Sequence, residues 1–444
     1  MIRNLIYLSA KIVIFFYLFA NSAHAKIVAL NDVVAEIMKN SNSIKSSEYS
    51  LNASENEALK AQKHWLPTLY IDSSAYQTND PTKTFIGNLY QRSVRASDFN
   101  PSAINKINSA KYSKSSVGVN LPIYQGGSGV AFDAMTKNLV ESKRYDLKQV
   151  EIDQYSYVVS TYIALVALVQ QKIKLEKIAK NIDEILKKYA LRDKKNQIGF
   201  SGFLILQASE NKAKSFIIDN QEKTQALYTN LKVMGFESEA VWNVENGEFE
   251  EYIEKYLKLE NVENSSFKTS ALKAKVDASK NEEIIDNAKN LPQLNLFAEN
   301  YVFKGNRSTQ NGYNAGLNLH WNFFDPFTYN NREIASNNTN ASRHQYLTHQ
   351  QNEKAEIEYL NSQINSLHEA TKLAYKNDEL MFKNVVISKD LFKNGSISAS
   401  NLSDSIMKYL DNFVYLANAQ MQLIDLYSKK ISKQKININD TLAR

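Results

Sequence analysis

Hydrophobic positions recur along this chain in two rhythms. Four windows alternate with period two, the pattern of a strand whose faces differ. In 68–77, Leu69, Ile71 and Ala75 fall on one side. In 115–125, Val117, Val119, Leu121 and Ile123 alternate with Gly118, Asn120 and Pro122. In 293–303, Leu294, Leu296 and Ala298 alternate with Asn295, Phe297 and Glu299. A fourth window, placed at 313–324, sets Leu317, Leu319, Trp321 and Phe323 against Gly316, Asn318, His320 and Asn322. Each window is about ten residues, the length a tilted strand needs to cross a bilayer. A half-buried sheet in a soluble protein gives the same alternation. Aromatic residues at the window ends (Trp65, Tyr70, Tyr124, Phe324) favour the membrane setting.

The second rhythm has steps of three and four. Leu168, Leu175, Ile178, Ile182, Ile185 and Tyr189 follow it, as do Ile357, Leu360, Ile364, Leu367, Thr371 and Ala374. This is coiled-coil spacing. Neither Gly nor Pro occurs between Gly129 and Gly199, or between Phe327 and Gly395. The spacing therefore predicts long helices over 130–198 and 328–393, the first about 100 Å at 1.5 Å per residue. Breaks are expected at 199–202 and 394–398, each a helix-to-helix turn with Gly just past the helix end.

The elements occur twice. Leu66-Pro67 precedes the first strand and Leu291-Pro292 the third. From Tyr124 to Gly199 is 75 residues, and from Phe324 to Gly395 is 71. The chain divides into a first repeat at 26–236, an acidic linker at 237–264 and a second repeat at 265–444. Each repeat reads helix, strand, strand, long helix, turn, helix. The first strand pair encloses about 25 more residues than the second, around 79–111.

Composition narrows the field. With 13 Gly and 6 Pro in 444 residues, turn-forming residues are scarce, which disfavours sandwiches and compact α/β enzymes. No Cys is present, so disulfides, thiolate chemistry and Cys-based metal sites are excluded. The formal charge of +6 is spread over mixed Lys, Arg, Asp and Glu without a basic block, which argues against nucleic acid as a partner.

The first 25 residues have the order of a secretory signal peptide: Arg3, an apolar run from Ile12 to Ala20, then small residues at Ala23 and Ala25. A retained membrane anchor is the other reading of that run. No later run of 18 apolar residues exists, so membrane insertion of the mature chain would have to use strands. Four strands cannot close a barrel, and open edges are not tolerated in lipid. Chains would have to share one barrel, two supplying eight strands or three supplying twelve.

With these features in order, the sequence resembles the TolC-like outer-membrane channels of efflux pumps and type I secretion systems. The resemblance covers about residues 30–430. It rests on the signal peptide, Trp65-Leu66-Pro67 entering a strand, the stretch from Asn120 to Gly127, the stretch from Asn394 to Ser398 opening a helix, and the stretch from Leu416 to Gln420. It implies an α+β membrane protein with four transmembrane strands and long helices in duplicated halves. It also implies a homotrimer whose twelve-strand β-barrel in the outer membrane of a Gram-negative cell continues as a twelve-helix periplasmic α-barrel. The implied partners are a periplasmic membrane-fusion adaptor and an inner-membrane transporter of RND or ABC type, with no cofactor. Segment 79–111 is similar to the long outer loop of some members.

The resemblance also assigns residues. Ile198, Gly199 and Phe200 match the adaptor-contact motif at the first helical tip, and Asn394, Gly395 and Ser396 occupy the second. Helix termination alone accounts equally for both glycines. Two acids often line the family's channel entrance; the same spacing here gives Asn401 and Asp404, so one acid is missing. Asp404 would then supply one carboxylate ring or simply complement a helix N-terminus. Catalysis finds no support. His344 and His349 lack the H-E-x-x-H pattern, no Walker loop exists, and Ser201-Gly202 has no nucleophile-elbow context. The competing reading is a secreted coiled-coil structural or adhesive protein.

Overall fold

The computed structural model describes residues 26–105, 108–189, 196–237, 242–259 and 262–442. Residues 1–25, expected from the sequence to be a signal peptide, lie outside this set. In chain order the elements are β1 (Lys26–Val28), α1 (Leu30–Asn40), α2 (Asn42–Ala61), β2 (Thr68–Thr78), α3 (Pro81–Tyr90), a 3₁₀ turn (Ala96–Phe99), α4 (Pro101–Asn105), β3 (Ala110–Gln125), α5 (Ser128–Lys188) and α6 (Gln197–Val233). They continue with β4 (Trp242–Val244), α7 (Phe249–Tyr252) and a π turn (Ile253–Leu257). The last are α8 (Phe267–Ala288), β5 (Gln293–Lys304), β6 (Thr309–His320), α9 (Asn331–Lys393), α10 (Ala399–Ile431) and α11 (Ile438–Leu442).

The chain forms two compact units, each drawn from both halves of the sequence. One comprises the residues up to Tyr49, Tyr145–Thr269 and those from His349 onward. The heptad stripes are its core: Leu175, Ile178 and Ile182 are buried with Leu206, Leu402, Ile406 and Leu410. A second cluster gathers Val33, Ile37, Tyr155, Tyr162, Leu165, Leu423 and Ile431. It also includes Val244, Phe249, Tyr252 and Leu257, so the acidic stretch at 237–264 is more than a linker. These apolar side chains complete the core, while Glu237, Glu248, Glu250, Glu251, Glu254 and Glu263 are exposed. β1 pairs with β4 in parallel, and Tyr162 ties the two together. Its hydroxyl donates to the Val28 carbonyl at 2.7 Å and accepts from the Glu245 amide at 3.0 Å.

The reading that no later segment is apolar enough to span a membrane needs one correction. α5 contains an 18-residue window that is long and apolar enough, but 78% of that window is buried within the protein. Val158, Ile163, Leu165 and Val166 are core residues here.

The other unit comprises Ser50–Arg144 and Ser270–Thr348. Its centre is an antiparallel sheet in the order β2-β3-β5-β6. β3 begins at Ala110, five residues ahead of the expected window, and pairs with β2 as far as Thr78. Alternation in β3 is broken by a bulge between Pro122 and Tyr124, so Tyr124 rather than Ile123 stands opposite Leu294. β6 ends at His320, short of the expected 324. His320 pairs with Gln293, the first residue of β5, and Pro292 before it has no N–H to extend the ladder. The Trp321 indole instead donates to the Asn290 carbonyl at 3.1 Å. α9 starts at Asn331, after a turn in which Asp325 accepts from the Phe327 amide at 3.0 Å.

Candidate functional site

The residues assigned to the helical tips lie in the first unit, and the ends of its long helices are built differently. α5 stops at Lys188, so the expected helix to 198 is too long. Asn196 caps α6, its Oδ1 accepting from the Gly199 amide at 3.0 Å. Gly199 is thus the third residue of the next helix, not the residue that ends the first. It has no positive φ. Its carbonyl accepts from the Tyr189 hydroxyl at 3.0 Å. Ile198 is 89% exposed, and the Phe200 ring stacks on Phe203 at 6.3 Å.

The other helix end is a Schellman turn. Gly395 has φ +71°, the Gly395 amide donates to Phe392 at 3.0 Å, and the Ser396 amide donates to Leu391 at 2.8 Å. Asn394 is the last residue before that glycine. Ser398 then caps α10, its Oγ accepting from the Asn401 amide at 3.2 Å. Asn401 and Asp404 are both exposed, and three residues apart on a helix they share a face.

Both ends meet around Tyr189. Its ring lies 6.2 Å from Phe203 and 5.9 Å from Phe392, stacked on each, and burial pushes its hydroxyl pKa up. Gly202 leaves room for Ala399 and for the Tyr189 hydroxyl; a Cβ there would sit 2.7 and 2.8 Å from them. The structure therefore brings Ile198, Gly199, Gly395 and Ser398 to the border of one cleft of about 1220 Å³, with Lys188 and Lys393 at its rim. His349, by contrast, faces the Thr269 hydroxyl at 3.1 Å, and among the described residues no group of three His, Asp or Glu could hold a metal ion.

In the second unit the sheet is inside out. Register places Leu69, Ile71, Val117, Val119, Leu296 and Leu317 on one face. That apolar face is open: Leu69 is 76% exposed, Ile71 79%, Leu317 64% and Leu319 67%. The opposite face carries Asp72, Lys114, Ser116, Glu299 and Asn314, and it is the better covered of the two. Lys114 pairs with Glu299 at 3.0 Å, and Glu299 also accepts from Asn314 at 3.3 Å. Tyr112, Ser116 and Phe303 on this face are each 3% exposed. Where the strands meet the helices, exposed aromatics gather: Trp65, Tyr124, Trp321, Phe323, Phe324, Phe327 and Tyr329.

Several features were not anticipated. α3 is one, although Asp80-Pro81 is a cap followed by an N1 proline, and the Asp80 carboxylate accepts from the Thr82 amide at 2.8 Å. The fork between Arg307 and Asp98 joins segments 209 residues apart and leaves no local signal.

No family model matches the sequence, and no curated protein matches it. Solved structures do. The Campylobacter jejuni CmeC outer membrane channel superposes with TM-score 0.75 at 14% identity, covering 91% of this chain and 85% of that one. The outer membrane protein VceC of Vibrio cholerae gives 0.73 at 13% identity over 92% and 97%. The open state of the Neisseria gonorrhoeae MtrE outer membrane channel gives 0.68 at 10% over 91% and 88%. The fold is thus one shared with these solved outer-membrane channel proteins. More particularly, the chain has the TolC-like fold, at sequence identities that speak to fold alone.

Proposed function

We propose that this protein is the exit duct of a tripartite efflux pump or type I secretion system, a passive conduit through the outer membrane and not an enzyme. The observation that carries this is the inverted sheet. A soluble sheet hides its apolar face, because exposing it forfeits roughly 25 cal/mol per Å². Here the apolar face is open and rimmed with aromatics, as a lipid-facing wall requires. The edges of β2 and β6 are unpaired in the four-strand order, and lipid does not tolerate them. Three copies sharing one twelve-strand barrel would satisfy both.

In this reading residues 1–25 direct export and are removed, and the two repeats supply equivalent wall segments and helix pairs. The adaptor docks at the cleft beside Tyr189, onto Ile198, Gly199 and Gly395 at its border and onto their chain neighbours Phe200, Asn394 and Ser396 outside it. Asn401 and Asp404 face the entrance. An inner-membrane transporter of RND or ABC type supplies the energy.

Expression of the full chain in a Gram-negative host tests this. A heat-modifiable trimer in the outer-membrane detergent fraction, conducting in a planar bilayer, supports the duct. An elongated soluble rod overturns it in favour of a secreted coiled-coil protein.

A further inference from the structure

The polar face of the sheet is not open along its whole length. At the end remote from α2, α5 and α8, where β2 stops and β5 turns into β6, residues 79–105 fold back over it. Strand register assigns Tyr112, Tyr301 and Phe303 to this face. α3 lies on them. The Tyr112 hydroxyl donates to the Thr84 carbonyl at 3.2 Å, and a Cβ on Gly87 would sit 2.6 Å from the Tyr112 ring. Tyr90 reaches across to β5, stacked on Phe303 at 5.0 Å and edge-on to Tyr301 at 6.0 Å.

A second set of bonds pins the segment to the β5–β6 turn. Both terminal nitrogens of Arg307 donate to the Asp98 carboxylate at 2.6 Å, a bidentate fork, and one also donates to the Ser93 carbonyl at 2.9 Å. Gln91 Oε1 accepts from the Arg307 and Ser308 amides at 2.8 and 2.9 Å. A strand connection needs only a few residues, so the extra length and its anchorage call for a reason of their own.

We propose that residues 81–105 form an outer constriction of the duct, held over the solute path by the Asp98–Arg307 fork, and that this segment sets the size of what passes the outer mouth. This rests on the reading of the sheet as a barrel wall with its polar face inward. The segment then stands inside the wall, on the water-filled side, and the strands do not define the narrowest section there.

The chain has no Cys, so a single introduced thiol is the only target for labelling. Ser74 is exposed on the polar face; Ile71 is exposed on the apolar one. Full-length Ser74→Cys and Ile71→Cys proteins are treated on intact cells with a small membrane-impermeant maleimide and with a bulky polyethylene glycol maleimide. The small reagent labels Ser74→Cys and spares Ile71→Cys; the reverse result sinks the barrel-wall reading itself. The bulky reagent labels Ser74→Cys at least about tenfold more slowly than the small one, because the opening and not the thiol limits it. Replacing residues 81–105 by a short Gly-Ser linker, or pairing Asp98→Asn with Arg307→Gln, removes that difference. Rapid bulky labelling with the segment intact overturns the constriction, as does slow labelling once it is excised. If the excised protein does not fold, the double substitution decides alone.

Discussion

The ring of Tyr70 lies across Gly118, its direct partner on the neighbouring strand, in the space a side chain at 118 would fill. Phe297 and Gly316 repeat this relationship, as do Tyr301 and Gly312. Three cross-strand aromatic–glycine pairs thus let bulky rings lie flat on the polar face. Aromatic cover also offsets the poor strand propensity of glycine. Gly118→Val is expected to displace Tyr70 and cost about 1–3 kcal/mol through overpacking. Gly316→Ala should cost less, since its nearest neighbour would be 3.3 Å away. Midpoints of chemical unfolding in detergent check the order.

The helical tips separate two uses of glycine. Nothing lies within 4 Å of a Cβ built on Gly395, yet its φ is +71°. Gly395→Ala should therefore lose about 1 kcal/mol through backbone strain, with Asn tolerated better than Ala. Gly202 carries no such φ but is hemmed in by Ala399 and Tyr189. There any larger residue disrupts packing, and Asn is no better than Ala. Thermal midpoints for the four variants distinguish the cases: a rescue by Asn at 202, or none at 395, contradicts this assignment.

Legibility followed the physics of each element. The strands were readable because one face is apolar and the other polar, and alternation survives whichever face meets water. The long helices were readable from heptad spacing and the absence of breakers. Helix ends were less so. Gly199 looked like a terminator, but the Asn196 side chain starts a new helix three residues earlier, and cap geometry rather than composition decides such a boundary. Trp321 and Phe323 continue the alternation in sequence after the ladder has run out of partners. β1 and β4 are three residues each, too short for any period. The fork from Arg307 to Asp98 depends on chain return across 209 residues, which no local pattern records.

Alkali should weaken the first unit. Burial pushes the Tyr252 hydroxyl pKa up to about 12, with the neighbouring Glu245 carboxylate adding to it, and burial does the same to Tyr375. Tyr162 and Tyr409 are pushed up as well, chiefly by burial. An unfolded tyrosine titrates near 10. Between about pH 10 and 12 the native state holds more protons than the unfolded one, so stability falls as pH rises through that window. Thermal midpoints followed from pH 8 to 12 should be flat at first and then decline. Tyr375→Phe should reduce the slope of the decline; an unchanged slope in every buried-tyrosine variant would count against this origin.

Lys174 on α5 and Asp378 on α9 form an ion pair at 3.1 Å. The carboxylate side chain is only 11% exposed, whereas the lysine is 48% exposed. This asymmetry sets the expected outcome. Removing the lysine leaves a buried carboxylate without its cation, and breaking a fully buried pair costs about 3–5 kcal/mol. Water around the half-exposed lysine site screens part of this, so Lys174→Met should cost about 1–3 kcal/mol. Lys174→Met combined with Asp378→Leu removes the charge as well as its partner and should recover most of the loss. The two residues touch, so their effects should not add, and a double-mutant cycle in urea measures the coupling. Additive costs would mean that the pair contributes nothing beyond its separate side chains.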